Sequence, residues 1–268
     1  MTETDTPPDV VPPSQLPEAL VAAGRYWVTT SEFERLTGSS RSSARQAAAR
    51  LIKQGRLISP ARGLYVVVPP EYRTWRSVPP EWFIDPMMAH LDRTYYVGLL
   101  TSAAMHGAAH QAPQTFQVLT SKPLADRDLG RAHLRFITNE HLSDMTTERR
   151  TTQTGMFTIA SRDTTAVDLV WRLREAGGIS NVATVLIEIG ELDGDRLARL
   201  SPHRNRATSR RLGWLLERFR DDVDPHWLQV VAEPAEGEPV KLSPYAPKRG
   251  HIDRRWGVLV NTSVEPDV

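Results

Sequence analysis

The spacing of apolar residues is most regular between Ser40 and Gly55. Apolar side chains recur there at intervals of three and four positions, namely Ala44, Ala47, Ala48, Leu51 and Ile52. This spacing is typical of a helix that buries one stripe of its surface. Ser40 is suited to cap the start of the helix, and Gly55 is suited to cap its end. We therefore predict a helix whose buried side chains are mostly small.

A shorter helix and a hairpin flank this predicted helix. The segment "TTSEFERLTGSS" predicts a helix over residues 31–36 with Phe33 and Leu36 facing inward, and Gly38 then turns the chain. The segment "RLISPARGLYVVVPP" predicts two strands, with Arg62 and Gly63 at the turn between them. Two helices joined by a Gly-containing turn and followed by a hairpin are typical of a winged helix-turn-helix.

The outward face of the second helix is polar and basic. At about 100° per residue, this face carries Ser42, Gln46, Ala49 and Lys53, flanked by Arg45 and Arg50. Residues 25–62 hold eight Lys and Arg against two Glu, although the formal net charge of the whole chain is only +1. Such a local excess is expected where a protein binds a polyanion, although basic residues are also found on helices that are merely solvated. We predict DNA binding by Arg41, Ser42, Arg45, Gln46, Arg50, Lys53 and Arg62.

The rest of the chain predicts an α+β domain. Short β-branched or alternating runs predict strands at "TFQVLTS", "AHLRFIT" and "GMFTIAS", with a closing strand at "WGVLVN". Helices are predicted at "SRDTTAVDLVWRLREAGG", with Ser161 as its cap, and at "NVATVLIEIG", "GDRLARLS" and "NRATSRRLGWLLERFR". Because strands come first and helices follow, the fold class is α+β.

Composition divides the chain into three predicted segments. Residues 1–14 are acidic and Pro-rich and are expected to be a disordered tail. Residues 15–80 hold the winged helix-turn-helix and the beginning of a Pro- and aromatic-rich linker, "VPPEYRTWRSVPPEWF". Residues 81–268 hold the mixed α+β domain.

The last long helix combines arginines with a tryptophan. Its predicted apolar stripe places Arg211, Trp214 and Arg218 on the opposite side, with Arg210 nearby. A Trp among arginines on an outer face resembles an interaction hot spot. Packing of Trp214 inside its own domain is the alternative.

Neither a catalytic nor a metal-binding constellation is evident in the sequence. His106 and His110 are four residues apart, but the glutamate of an HExxH motif is missing, and Ser102 lies outside a GxSxG turn. Asp163 is interpreted as an acid favoured at a helix start, and Asp168 as a packing contact. We predict no enzymatic activity, no metal and no cofactor.

Several features favour a cytoplasmic protein without a membrane anchor. The chain has no cysteine, which excludes disulfides and fits a reducing compartment. Its N-terminus lacks the basic and apolar regions of a signal peptide. No apolar run approaches the roughly 18 residues that a membrane helix needs.

The order of motifs along the chain resembles one bacterial family. The motifs are "GRLISPARGLYVV", "YYVGLLTSAAMHGA", "IASRDTTAVDLV", "RRLGWLLERF" and "VKLSPYAPKRGHIDRRWGVLVN". Their succession over roughly residues 15–262 resembles the AbiEi-type antitoxins of abortive-infection toxin–antitoxin systems, including their actinobacterial relatives. The resemblance implies that the winged helix binds inverted repeats in its own promoter and represses the operon. It also implies that the C-terminal domain counteracts a nucleotidyltransferase toxin in the type IV manner, without a stable complex being required.

The resemblance also assigns roles to individual residues. Five residues match the recognition-helix face, namely Ser42, Arg45, Gln46, Arg50 and Lys53. Arg62 matches the wing. Arg210, Arg211 and Arg218 match the basic surface of the antitoxin domain, and Trp214 lies among them. Arg162 and Asp163 stand where the family commonly has Pro and Glu, so a looser turn is expected there.

Two other functions remain open at this point. One is a stand-alone winged-helix regulator whose C-terminal domain senses a small ligand, which predicts an apolar pocket in residues 85–262. The other is a nucleic-acid-modifying enzyme, which would need clustered carboxylates or metal-ligand spacing.

Overall fold

The computed structural model describes residues 10–108, 113–224 and 238–267. These residues form two units. The first unit comprises the described residues up to Thr94 together with Ala125–Arg135 and Arg149–Phe157, and the second comprises the remainder. Residues 1–9 of the predicted tail, and His110, lie outside the described residues. Within the rest of that tail, the Val11 backbone N–H donates to the Leu36 carbonyl at 3.0 Å.

The first unit contains a winged helix-turn-helix. Its elements are α1 Leu16–Ala22, β1 Trp27–Thr29, α2 Thr30–Thr37, α3 Arg41–Lys53, β2 Leu57–Ala61 and β3 Leu64–Val67. The three strands form an antiparallel sheet of order β1-β3-β2, with Val28 opposite Tyr65. The sequence predicted α2, α3 and the wing strands β2 and β3, whereas α1 and β1 were not predicted.

Caps and small residues explain the geometry of α2 and α3. The Thr29 hydroxyl accepts from the Glu32 backbone N–H, and the Glu32 carboxylate accepts from the Thr29 backbone N–H, which closes a capping box. Ser40 caps α3 as predicted, because its hydroxyl accepts from the Ser43 N–H. The stripe of α3 is buried at Ala44, Ala47, Ala48 and Leu51.

The predicted stripe of α3 is too wide by one residue. Ile52 is 38% exposed, so the prediction that it is buried is wrong. At about 100° per residue, Ile52 lies about 80° around the helix from Ala44, at the edge of the stripe rather than within it.

The segment interpreted as a linker is packed into the first unit. Val78, Trp82 and Phe83 are only 2%, 7% and 0% exposed. The Trp82 ring packs edge-on against Tyr26 and Tyr72, with centroids 5.5 Å and 5.1 Å away. Aromatic rings bury a large apolar area, so a segment rich in them does not behave as a solvated linker. The functional division at residue 80 stays a prediction.

A mixed sheet of six strands follows. The strands are β4 Tyr95–Val97, β5 Phe116–Thr120, β6 Arg127–Leu129, β7 Ala132–Thr138, β8 Thr147–Thr152 and β9 Gly155–Ala160. Their order is β6-β7-β5-β4-β9-β8, with β4 antiparallel to β5 and parallel to β9. The sequence did not predict β6 and β8, because the segments "RDL" and "TERRTT" are mostly polar and carry no apolar alternation.

Helices and a small sheet complete the described chain. The helices are α4 Ile84–His90, α5 Leu99–Met105, α6 Arg162–Trp171, α7 Ile179–Glu188, α8 Gly194–Leu200 and α9 Arg206–Phe219. The small sheet joins β10 Val240–Lys241, β12 Val258–Val260 and β11 His251–Asp253 in that order. The core of the second unit is apolar, with Leu169, Leu212 and Leu215 at 0% exposure.

The predicted fold class is confirmed: a winged helix-turn-helix is followed by a mixed α+β domain. Ser161 caps α6 as predicted, since its hydroxyl accepts from the Thr164 N–H. Arg162 and Asp163, where a looser turn was expected, are the first two residues of α6, and the Asp163 carboxylate accepts from the Asp193 backbone N–H at 2.8 Å. Among the described residues, no helix has both the length and the apolar character needed to cross a membrane.

Candidate nucleic-acid interface

The seven predicted DNA-binding residues all have exposed side chains. Six lie on α3 and one on the turn between β2 and β3: Arg41, Ser42, Arg45, Gln46, Arg50, Lys53 and Arg62. No carboxylate occurs anywhere in α3. The exposed face therefore offers cations, hydroxyls and an amide, which are the groups that bind phosphates and base edges.

The wing turn is fixed to the rest of the unit by hydrogen bonds. Gly63 occupies a left-handed conformation, with φ +83°, and its carbonyl accepts from the Thr30 backbone N–H at 2.9 Å. The Arg62 carbonyl accepts from His90 Nε2 at 2.9 Å. These bonds hold the wing against the start of α2 and fix the position from which Arg62 projects.

Helix α3 and the wing share one cleft. Arg41, Arg45 and Arg62 line the same cavity of about 480 Å³, together with the start of α2. The fold thus brings three of the predicted residues together, although Arg62 is 17 or more positions away in sequence. Ser42, Gln46, Arg50 and Lys53 continue the basic face along α3, outside the cleft.

The positive charge of this face is largely uncompensated. The Arg45, Arg50, Lys53 and Arg62 side chains form no ion pair with any residue in the described ranges. Arg41 lies 3.9 Å from Glu34, at the limit of an ion pair, and its side chain is 71% exposed. Exposed and unpaired cations of this kind are available to neutralise phosphates.

His90 is a residue of the cleft that the sequence did not indicate. It lies at the end of α4, and both its hydrogen bond to the wing and its position in the cleft depend on the fold. The residues it contacts are 28 positions away. A pattern of neighbouring residues does not indicate a contact between segments that far apart in the sequence.

The observed surface of α9 differs from the basic surface that the sequence predicted. Arg210 and Trp214 are only 3% and 4% exposed, so their predicted placement on an outer face is wrong, and Trp214 packs inside its own domain, as the stated alternative had it. The reason is that α9 is covered on a second side, where the Trp256 ring packs directly against Gly213. A Cβ at position 213 would lie 2.0 Å from that ring.

Arg218 is the exposed member of the predicted set. Its guanidinium lies over the Trp214 ring, 4.4 Å from the centroid, and 3.6 Å from Asp253. Arg211 is half-buried and donates from Nε to the Lys241 carbonyl at 2.9 Å, and burial lowers the pKa of its guanidinium. The surface that α9 presents is therefore smaller than the sequence indicated.

A cavity beside α9 bears on the alternative of a ligand-sensing domain. It has a volume of about 640 Å³ and is lined in part by Glu217, Arg218, Phe219 and Val264. Charged and apolar side chains are mixed here. Ligand pockets also combine apolar side chains with a few polar groups, and the ligand-sensing alternative stays a prediction.

Ser102, Asp163 and Asp168 all form contacts inside the second unit. The Ser102 hydroxyl is fully buried and donates to the Leu99 carbonyl at 2.9 Å. Asp163 is 3% exposed and pairs with Arg196 at 2.8 Å. Burial raises the pKa of the Asp163 carboxyl, and the hydrogen bonds from Asp193 and Arg196 oppose that rise.

Asp168 belongs to a buried polar network. It accepts from Arg204 through Nε at 2.8 Å and Nη2 at 2.6 Å, and from the Tyr96 hydroxyl at 2.7 Å. Arg204 Nη1 also donates to the Asn139 side chain at 2.6 Å. Both side chains of the ion pair are inaccessible to solvent, at 1% and 0% exposure, which agrees with the interpretation of Asp168 as a packing contact.

The fold and the exposed basic face define a winged helix-turn-helix protein that carries an additional α+β domain. Comparison with family models agrees with this description. Residues 15–68 match the model described as "Transcriptional regulator, AbiEi antitoxin", and residues 96–218 match "AbiEi antitoxin C-terminal domain". The chain belongs to the AbiEi antitoxin family, as its sequence motifs indicated.

A solved structure has the same fold. The crystal structure of the RV2827C protein from Mycobacterium tuberculosis superimposes with a TM-score of 0.65 over 96% of this chain and 94% of that chain. Its sequence is 17% identical, so the similarity concerns the fold alone. A search among curated proteins finds no match.

Proposed function

We propose that this antitoxin-family protein represses its own operon through the winged helix-turn-helix and neutralises a nucleotidyltransferase toxin through the α+β domain. One observation carries the first half: a carboxylate-free exposed face on α3 shares a cleft with the Arg62 wing. The second half is supported by the family of residues 96–218, an antitoxin domain. Neutralisation in this proposal does not require a stable complex with the toxin.

Repression requires more than one copy of the winged helix. Most of the affinity comes from counterions that the DNA releases on binding, and this contribution falls as the salt concentration rises. A single copy that contacts about six phosphates therefore binds weakly at physiological salt. Specific operators are bound with affinities of about 10⁻⁸ M or tighter. Two copies on the two arms of an inverted repeat, separated by about 34–36 Å or a multiple, reach that range.

The DNA-binding half is tested with the variant Arg45→Ala/Lys53→Ala. Both side chains are exposed on α3, so the fold is retained while two phosphate-binding cations are removed. We expect loss of operator binding at physiological salt in a fluorescence anisotropy titration. At lower salt, where binding becomes measurable, the slope of log K against log salt should be shallower by about two units. The matched control is Arg174→Ala/Arg199→Ala, which removes the same charge from exposed positions in the second unit. Equal affinity for both double variants would contradict the assignment.

The toxin-neutralising half is tested in a growth assay with the cognate nucleotidyltransferase. The variant Arg45→Ala/Lys53→Ala should rescue growth as the unmodified chain does, because it leaves the second unit unchanged. Arg218→Glu reverses the exposed charge on α9 and should weaken rescue, whereas Arg199→Glu on α8 should not. Loss of both repression and rescue in the folded Arg45→Ala/Lys53→Ala variant would refute the division of labour.

A further inference from the structure

Two histidines and one aspartate meet in the second unit. His141 and Asp144 lie between β7 and β8, and His203 lies between α8 and α9. The Nδ1 atoms of His141 and His203 lie 3.2 Å and 3.3 Å from the same oxygen, Oδ2 of Asp144. The ring centroids are 5.9 Å apart, and one atom from each side chain lies within 4.8 Å of the other two.

The two nitrogen–oxygen separations match an edge of a metal coordination tetrahedron. Imidazole nitrogen and carboxylate oxygen both bind Zn²⁺ at about 2.0–2.1 Å. Two ligands at that distance in tetrahedral geometry are about 3.3 Å apart. The two nitrogen–oxygen separations, 3.2 Å and 3.3 Å, agree with that edge.

Both histidines are held by the buried network around Asp168. Asn139 Oδ1 accepts from the His141 backbone N–H at 3.0 Å and from Arg204 Nη1 at 2.6 Å. Arg204 directly follows His203 in the chain, and its side chain is 1% exposed. One side chain, Asn139, therefore links the two segments that carry the ligands.

The third ligand is also held in place. Asp144 lies between Leu142 and Met145, which are 5% and 6% exposed and belong to the core of the second unit. A site whose backbone is fixed before the ion arrives loses less conformational entropy on binding. Its three ligand side chains remain between 38% and 55% exposed, so an ion has access.

We propose that His141, Asp144 and His203 bind a divalent transition-metal ion, with Zn²⁺ as the preferred occupant. Imidazole ligands favour Zn²⁺ over Mg²⁺, which prefers oxygen ligands. Three protein ligands leave the fourth tetrahedral position to water. The ion ties the β7–β8 connection to the segment that precedes α9.

Titration of the metal-free full-length chain with Zn²⁺ by isothermal calorimetry tests this proposal. We expect one saturable site in the unmodified chain and at least about tenfold weaker binding in His203→Gln and Asp144→Asn, since even loss of an outer hydrogen bond to a metal ligand costs 10- to 100-fold. Asp144→Asn keeps the shape of an exposed side chain, which protects the test against misfolding of His203→Gln. Titration with Mg²⁺ should give no saturable signal.

The matched control is His133→Gln. His133 also pairs with an aspartate, Asp128, at 2.6 Å and is 51% exposed, but its pair belongs to no cluster of three ligands among the described residues. We expect unchanged Zn²⁺ affinity in this variant. The proposal is overturned if the unmodified chain shows no saturable site, or if His203→Gln and Asp144→Asn bind Zn²⁺ as tightly as His133→Gln does. In that case the cluster is one hydrogen bond and one ion-pair contact that share a carboxylate oxygen.

Discussion

Replacing Arg204 with Met is expected to lower the free energy of unfolding by about 3–5 kcal/mol. The substitution keeps most of the apolar volume and removes the partner of a carboxylate that is 0% exposed. Asp168 then loses two charge-assisted hydrogen bonds, of 2.8 Å and 2.6 Å, and among the described residues its side chain keeps the bond from Tyr96. At about 1.5–3 kcal/mol for each bond to a charged group, the two losses account for this magnitude.

The loss of unfolding free energy in the Arg204→Met variant should depend on pH. Complete burial raises the pKa of the Asp168 carboxyl, and the charge and hydrogen bonds of Arg204 limit that rise. Without Arg204 the folded-state pKa rises further above the unfolded value of 3.8. A group with a raised folded-state pKa contributes stability at low pH and loses it as the pH rises. The variant should therefore approach the stability of the unmodified chain on acidification.

Urea denaturation followed by near-UV circular dichroism measures these effects. The double variant Asp168→Asn/Arg204→Met removes the uncompensated charge and should be more stable than Arg204→Met alone at neutral pH. Arg135→Met is the control, because Arg135 pairs with Asp126 at a similar 2.8 Å with side chains 57% and 44% exposed, and an exposed pair is worth less than about 1 kcal/mol. Additive losses in the double variant would refute the reasoning, since they would show that the two residues do not interact.

Two further variants test packing and capping. Gly213→Ala should lower the melting temperature, because the new Cβ meets the Trp256 ring at 2.0 Å and overpacking of this kind costs about 1–3 kcal/mol. On a helix face that nothing covers, the same change stabilises by about 1 kcal/mol. A higher melting temperature would therefore contradict the packing of Trp256 on Gly213. For Glu32, burial alone would raise the pKa, but hydrogen bonds from Thr29 and Arg25 outweigh it and lower the pKa below 4.5. The stability that the Glu32 carboxylate contributes is then present above pH 4.5 and is lost as the pH falls through the folded-state pKa. Glu32→Gln should therefore be less stable than the unmodified chain at neutral pH and equally stable in acid. A difference in melting temperature that stays constant as the pH is lowered would contradict the capping box.

The features that the sequence predicted are those encoded locally. The caps at Ser40 and Ser161 and the narrow Ala stripe of α3 depend on residues within one or two turns of helix, so their patterns can be read directly. The exposed basic face follows from the same periodicity. The wing could be predicted because its turn residues lie between two apolar runs.

The features that the sequence did not predict depend on contacts between distant segments. Trp214 was placed on an outer face because one apolar stripe accounts for one side of α9, but Trp256, 43 positions after Gly213, covers another side. Asn139 and Arg204 are 65 positions apart, and neither lies in a pattern that indicates burial. Strands β6 and β8 are paired through their backbones with little apolar burial, so their side chains carry no alternation.

The buried ion pair and the proposed metal site are connected through two backbone segments. Arg204 and Asn139 form part of the network around Asp168, and they flank His203 and His141 in the chain. Loss of Arg204 removes the link between Asn139 and the segment that carries His203, although the bond from the His141 backbone N–H to Asn139 remains, whereas loss of the His203 imidazole leaves the ion pair intact. Arg204→Met should reduce both stability and Zn²⁺ affinity, while His203→Gln should reduce Zn²⁺ affinity alone. The difference between the two variants shows whether the core positions the metal site or the metal site stabilises the core. If the metal site stabilised the core, both variants would lose stability.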